Sequence, residues 1–135
     1  MIRVLVIDDE AHILRILQLS LQRAGYKVTV ASDGQKGLEL LRQQHPDIVI
    51  ADIDMPNMNG KDMCLSFYQE FPDNSIPIFI STSRAEDEFR SWTQPFKNIH
   101  FLEKPLSINI LLRRLAEILD QTAGPRPIEQ GVNLG

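Results

Sequence analysis

The segment Asp47-Ile-Val-Ile-Ala-Asp52-Ile-Asp54-Met-Pro56 runs four apolar residues, Ile48–Ala51, straight into an acid and then a proline turn. A short apolar run without polar alternation is the pattern of a strand covered on both faces, as in a parallel sheet flanked by helices. Arg3–Asp8 (RVLVID) and Ile76–Ser81 (IPIFIS) are nearly as continuous. With Asp47–Ala51, Lys27–Ala31 and Ile99–Glu103 they make five candidate strands. The segments between them repeat at three to four residues, the period of a helix with one apolar face. Ile13, Ile16, Leu17, Leu21 and Ala24 precede Gly25, a plausible helix end; Gly37, Leu38, Leu40 and Leu41 follow Asp33-Gly34. Cys64, Phe67, Tyr68 and Phe71 precede Pro72, which stops the third helix. Ala85, Phe89, Trp92 and Phe96 mark a fourth that Pro95 shortens, and Ile108, Leu111, Leu112, Leu115, Ile118 and Leu119 stripe a fifth. Five strand–helix units with short, right-handed crossovers predict an α/β chain of (βα)5 type, folded as an open doubly wound sheet. Sites in such sheets lie at the carboxyl ends of the strands.

Composition narrows the function. Of 135 residues, 43% are hydrophobic and 24% charged, which suits one folded domain. Lys and Arg total 14 against 18 Asp and Glu, a net charge of −4. That balance argues against a nucleic-acid module and against adhesion to an anionic membrane surface. No apolar run exceeds four residues, far short of a membrane span. The lone Cys64 permits neither an internal disulfide nor a thiolate metal site. The chain enters a strand-like run at Ile2 with no signal-peptide pattern, so a cytoplasmic location is expected. Residues 121–135 hold five of the fifteen Gly and Pro and no apolar period. They read as a flexible tail or the start of a linker after a domain over residues 1–120.

The polar residues at the strand ends carry the chemistry. Asp8-Asp9-Glu10 closes the first strand, Asp52-Ile-Asp54 the third, Ser81-Thr82-Ser83 the fourth and Glu103-Lys104-Pro105 the fifth. Two carboxylates about 4 Å apart repel by roughly 4 kcal/mol at an effective dielectric near 20. A divalent cation removes that cost, and oxygen ligands with room for water suit Mg²⁺ better than zinc. Lys104 adds a point charge of the kind used on phosphate. A metal, an ammonium and a hydroxyl around one carboxylate stabilise phosphoryl transfer to it, which makes Asp52 a candidate phosphoacceptor. Each residue also has a plainer reading. Asp8 or Asp9 alone suits a helix N-cap, Thr82 a hydroxyl bonded to backbone, and Lys104 a solvated loop. Ser81 and Ser83 leave the register around Thr82 open. The set gains weight because each member falls at the expected end of a different strand.

Together these residues resemble the receiver domain of two-component response regulators, over residues 2 to about 120. Asp52-Ile-Asp-Met-Pro56-Asn-Met-Asn-Gly60 matches the family's phosphoacceptor followed by Met-Pro and a glycine eight residues on. Asp8-Asp9 matches its metal-binding acids, with Asp9 the more direct ligand. Thr82 lies thirty residues after Asp52 and Lys104 twenty-two after Thr82, gaps typical of the family that select Thr82 over its serine neighbours. Lys104-Pro105 matches a pair whose peptide bond is usually cis, Phe101 the switch aromatic, and Asp33-Gly34 the turn before the second helix. The resemblance implies a flavodoxin-like five-stranded sheet of order 2-1-3-4-5. It implies a phosphoryl group passed to Asp52 from a sensor histidine kinase or histidine phosphotransfer protein. Mg²⁺, with Mn²⁺ as the alternative, would be held by Asp8, Asp9, Asp52 and the backbone carbonyl of Asp54. Thr82 and Lys104 would bind the phosphoryl oxygens, with Pro56, Gly60 and Pro105 shaping the site. Movement of Thr82 would open space for Phe101 and change the face built from the fourth helix, fifth strand and fifth helix. A downstream protein, an output domain absent from this chain, or a second copy would dock there. Asp54 and Arg84, two residues beyond the acceptor and the threonine, would set phosphoryl lifetime. One departure is Thr93-Gln-Pro-Phe-Lys-Asn98, which has no glycine where the family has a small Gly- or Ala-rich turn.

Two rival functions compete with this signalling switch, which is expected to turn over no substrate. Asp52-Ile-Asp54 superficially resembles the nucleophile motif of haloacid-dehalogenase-type phosphatases. That family places its metal-binding acids after the lysine, and residues for a cap domain are lacking here. A phosphorylation-independent receiver-like binding module usually lacks an acid or the lysine, and all are present. His12, His45 and His100 have no partner at metal-ligand spacing, and Cys64 and Trp92 read as packing. Glu86-Asp87-Glu88 reads as charge complementing a helix N-terminus. A receiver of about 120 residues leaves fifteen, too few for an output domain. Either the chain docks a separate partner or it is a receiver cut from something longer.

Overall fold

The computed structural model describes residues 1–123. The elements alternate as β1 (Arg3–Ile7), α1 (Ala11–Arg23), β2 (Lys27–Ala31), α2 (Gly34–Gln44), β3 (Ile48–Asp52), α3 (Gly60–Glu70), β4 (Ile78–Thr82), α4 (Glu86–Thr93), β5 (Ile99–Glu103) and α5 (Ile108–Ala123). All four strand pairings are parallel and the order is β2-β1-β3-β4-β5, the expected doubly wound sheet.

Strand alternation divides the core in two. Leu5, Ile7, Val49, Ala51, Ile78 and Ile80 face α2, α3 and α4, where they meet Leu38, Leu41, Met63, Cys64, Phe67 and Phe89. Val4, Val6, Ile48, Ile50, Phe79 and Leu102 face α1 and α5, against Leu17, Leu21, Leu111 and Leu115. Cys64 is fully enclosed, and burial pushes its thiol up to about 12. Trp92 packs edge-on against Phe89 at 5.9 Å between ring centroids.

Helix ends follow local chemistry. Gly25 takes φ +98°, and the N–H groups of Gly25 and Tyr26 donate back to Gln22 and Leu21, closing α1 with a left-handed glycine. Asp33 caps α2 by accepting from the Lys36 N–H at 2.8 Å. α4 ends at Thr93, ahead of Pro95, with Glu86, Asp87 and Glu88 in its first turn. Several boundaries differ from the sequence expectation: β1 stops at Ile7 rather than Asp8, and β3 and β4 each run one residue further, to Asp52 and Thr82. β3 begins at Ile48, because Asp47 instead binds Arg3, its N–H to the Arg3 carbonyl and its Oδ2 to the Arg3 N–H. β4 begins at Ile78, because Pro77 has no N–H for the ladder. α5 runs to Ala123, three residues past the expected domain boundary; the rest of the tail reading, 124–135, lies outside the described residues. No helix among the described residues is long and apolar enough to cross a membrane.

Candidate functional site

Each apolar strand pins its backbone in the sheet and leaves its first polar residue at the carboxyl-end crevice. Asp52 ends β3 beside Ser81 and is 3% exposed; Asp8, just past β1, is 4% exposed. The Lys104 N–H donates to the Thr82 carbonyl at 2.9 Å, which holds the turn after β5 against the end of β4. From there Lys104 Nζ donates to Asp52 Oδ1 at 2.7 Å. Carboxylate oxygens of Asp8, Glu10 and Asp52 lie within 4.8 Å of one another. Burial pushes the Asp8 carboxyl above its usual range; the Glu10 N–H, 2.9 Å from Asp8 Oδ1, opposes the rise and the Asp52 charge adds to it. Burial draws Lys104 down, but the hydrogen bond and charge of Asp52, backed by Asp8 and Glu10, leave the ammonium above its usual value. Clustered hard oxygen donors, two of the three acids buried, are compatible with a divalent cation.

The loop after β3 is built around Asp52. The Asp54 N–H donates to Asp52 Oδ1 at 3.2 Å, and the Gly60 N–H to the Ile53 carbonyl at 2.9 Å. A Cβ on Gly60 would sit 2.7 Å from the Asp52 carbonyl oxygen, so only glycine permits this approach. Asn57, at φ +68°, donates to Asp33 Oδ2 at 3.0 Å, tying the loop to the cap of α2. Thr82 is buried, and its Oγ1 accepts the Arg84 N–H at 3.0 Å. The exposed Arg84 guanidinium bridges Asp54 at 3.1 Å and Glu88 at 2.9 Å, linking the acceptor loop to α4. Phe101 is half-buried, edge-on to Phe89 at 5.3 Å. Ile53, Thr82, Phe89 and Trp92 line a gap of only about 10 Å³.

Asp8, Asp52 and Lys104 therefore meet as the sequence suggested, with Thr82 joined through the backbone and Pro105 following a cis peptide bond. Asp9 does not join them. It is exposed, and Glu10 takes its place in the acidic cluster. The Asp8 carboxylate accepts the Glu10 N–H at 2.9 Å, which tightens the turn after β1; Glu10, whose carboxylate reaches the cluster, is exposed like Asp9. The signal for Glu10 was its place in the acidic run, but its orientation depends on that turn. None of the three histidines enters the cluster; His45 packs on Phe71 and His100 on Phe79.

Known proteins place this geometry. The family model for the response regulator receiver domain matches residues 4–116. The chain is a response regulator receiver domain. This receiver is 35% identical over 120 residues to a probable transcriptional regulator, ycf27, of Guillardia theta, covering 89% of the chain but 46% of that protein. It is 29% identical over 119 residues to the protein PilH of Pseudomonas aeruginosa, covering 88% of the chain and 98% of PilH. The chain thus spans about half the length of the transcriptional regulators it matches. The chemotaxis protein CheY4 of Vibrio cholerae superposes with a TM-score of 0.78 at 28% identity, covering 87% of the chain and 98% of CheY4. As a receiver, the chain belongs to a family of signalling switches rather than of metabolic enzymes.

Proposed function

We propose that this receiver is switched by phosphorylation of Asp52, which takes a phosphoryl group from the phosphohistidine of a sensor kinase or phosphotransfer protein while Mg²⁺, or Mn²⁺, is bound. The observation that carries the reading is a buried carboxylate held at 2.7 Å by Lys104 and crowded by two further acids. Attack by an Asp52 oxygen forms an O–P bond as the donor's N–P bond breaks and imidazole leaves. Asp8, Asp52 and the Asp54 carbonyl, with Glu10 or Asp9, would hold the cation, which when bound would neutralise charge on the phosphoryl oxygens. Lys104 steadies the carboxylate before transfer and a phosphoryl oxygen afterwards. Thr82, whose oxygen accepts the Arg84 N–H at 3.0 Å, would move its hydroxyl toward the phosphoryl group and open space for Phe101. Phe101 would then leave Phe89 and remodel the surface of α4, β5 and α5, on which a downstream protein, an output domain or a second copy docks. This switching would take place in the cytoplasm. The Asp54–Arg84 ion pair, at 3.1 Å, would affect phosphoryl lifetime.

Incubation with Mg²⁺ and acetyl phosphate, followed by mass and Trp92 fluorescence beside Asp52→Asn, tests the reading. A gain of one phosphoryl in the wild type only supports it. Continued hydrolysis of added phosphoesters would favour the phosphatase rival, and no modification would favour a silent binding module. Dephosphorylation rates unchanged in both Asp54→Ala and Arg84→Ala would remove those residues from the scheme.

A further inference from the structure

β5 lies at one edge of the sheet, paired with β4. The Ile78 N–H donates to the Asn98 carbonyl and the Lys104 N–H to the Thr82 carbonyl, so even-numbered residues of β5 direct their backbone groups at β4. Odd-numbered residues, Phe101 among them, direct theirs to the open edge. The Phe101 carbonyl is met there by Arg114 of α5, whose Nη1 donates to it. The same guanidinium lies over the Phe79 ring, its Cζ 4.9 Å from the centroid. His100 stacks on that ring as well, at 5.0 Å between centroids and 30° between planes. One phenyl ring therefore touches both the guanidinium that holds Phe101 and the imidazole of the preceding residue. A proton on His100 would put a second cation against this ring. Burial first, then Arg114 of α5 and Arg90 of α4, already hold the imidazole below its ordinary 6.5, while β4 presents the uncharged Phe79. Arg90 is engaged by Glu86 at 2.9 Å. His100 cannot withdraw, because its backbone belongs to the ladder with β4. Arg114 can: its side chain is long and half-buried, and the exposed Glu117, three residues on along α5, attracts it. When His100 takes a proton, Arg114 is the group that gives way.

We propose that His100 and Arg114 form an acid-sensitive latch on β5: a proton on His100 drives Arg114 off the Phe101 carbonyl toward Glu117 and loosens the strand at Phe101. The latch rests on the proposed switch only for its consequence, that acid frees Phe101 without a phosphoryl group; the titration itself needs no phosphorylation. The test is an NMR titration of the ¹³C,¹⁵N-labelled chain between about pH 8 and about pH 5, the range in which histidine changes charge. The Phe101 carbonyl carbon and the Arg114 guanidinium signals should move with the same midpoint as the His100 ring. Both should stay flat in His100→Asn. Arg114→Gln removes the like charge, so His100 should bind its proton roughly 3- to 10-fold more tightly. Glu117→Gln removes the group that receives Arg114, so His100 should bind its proton more weakly than in the wild type. Asp52→Asn should titrate as the wild type does, so failure of Asp52 to be phosphorylated would sink the switch and leave the latch standing. The latch itself fails if the Phe101 carbonyl does not follow His100, or if it still moves in His100→Asn. It fails equally if Arg114→Gln or Glu117→Gln leaves the His100 midpoint where it was.

Discussion

Replacing Asp8 by Asn should make the protein more stable when divalent cations are removed and indifferent when they are restored. Oxygens of Asp8 and Asp52 lie within 4.8 Å, and both residues are almost wholly buried. At that separation and an effective dielectric near 20, the pair repels by about 3.5 kcal/mol. Lys104 shields part of this, but its contact is with Asp52 rather than Asp8. Asn keeps an acceptor for the Glu10 N–H, so the turn after β1 survives. A net gain of about 1–2 kcal/mol in EDTA remains, or roughly 3–7 °C in Tm for a domain of this size. The wild type, by contrast, should gain about 1.4 kcal/mol at a cation concentration ten times its Kd. Asp8→Asn should lose that increment. The advantage of the variant should also shrink in acid. An acid whose folded pKa is raised takes up its proton sooner when folded, so the wild type regains stability as pH falls from above that raised pKa toward 3.8. Thermal unfolding by circular dichroism, near neutral pH and in acid, with EDTA or saturating MgCl₂, checks all three statements. A lower Tm for Asp8→Asn in EDTA, or an undiminished response to Mg²⁺, would refute the electrostatic reasoning.

Three further outcomes follow from other parts of the molecule. Gly60→Ala forces a Cβ to 2.7 Å from the Asp52 carbonyl and 3.1 Å from Ile53 Cα, both backbone atoms. It should lower stability by about 1–3 kcal/mol in urea titration, and an unmoved midpoint would contradict the close approach. Lys104→Ala should slow labelling of Asp52 by acetyl phosphate on the order of 100-fold, the usual loss when one preorganised charge donor is removed. Labelling at the wild-type rate would take Lys104 out of the chemistry. His100, held below its ordinary 6.5 by burial and then by Arg114 and Arg90, stays neutral in the folded protein after the unfolded chain has taken its proton. Stability should be full above pH 6.5 and decline below it. His100→Asn should flatten that decline in melts at several pH values, and an unchanged slope would exclude this histidine.

The fold was legible because its signals were redundant. β3 and the α3 face of Cys64, Phe67 and Phe71 announced themselves by composition and period, and Gly25 and Pro72 marked ends that local sterics enforce. The starts of β1, β2 and β5 were legible, but those of β3 and β4 were not, because they turned on single groups: Asp47 binding Arg3, and the N–H that Pro77 lacks. The site divides the same way. Asp52 was readable because it ends a buried strand, whereas Thr82 was separated from Ser81 and Ser83, and Lys104 from a solvated loop lysine, by their spacing in the receiver family. Asp8, Asp9 and Glu10 sit one to three residues past the end of β1, where a single hydrogen bond tightens the turn that places them. Ser81 was noticed only as noise around Thr82. Its separate situation follows from strand alternation, which sends neighbouring hydroxyls to opposite faces of the sheet.

Charge explains why such a site should respond to its surroundings. Three clustered carboxylates against the Lys104 ammonium leave two negative charges uncompensated within the cluster. That deficit is the complement of one divalent cation. Transfer of a phosphoryl group to Asp52 exchanges one carboxylate charge for about 1.5 to 2 on the phosphoryl oxygens, so the deficit deepens rather than closes. Added negative charge must then draw on nearby hydrogen-bond donors and cations: the Thr82 hydroxyl, whose oxygen accepts the Arg84 N–H, and the Arg84 guanidinium, which is engaged by Asp54 and Glu88. Redirecting either one alters the loop between β4 and α4, beside the gap lined by Phe89 and Trp92. In the proposed switch, these modest bonds would hold the resting form and the added charge on Asp52 would drive the change. By the same reasoning, removing an acid from the cluster should stabilise the fold and disable the site together.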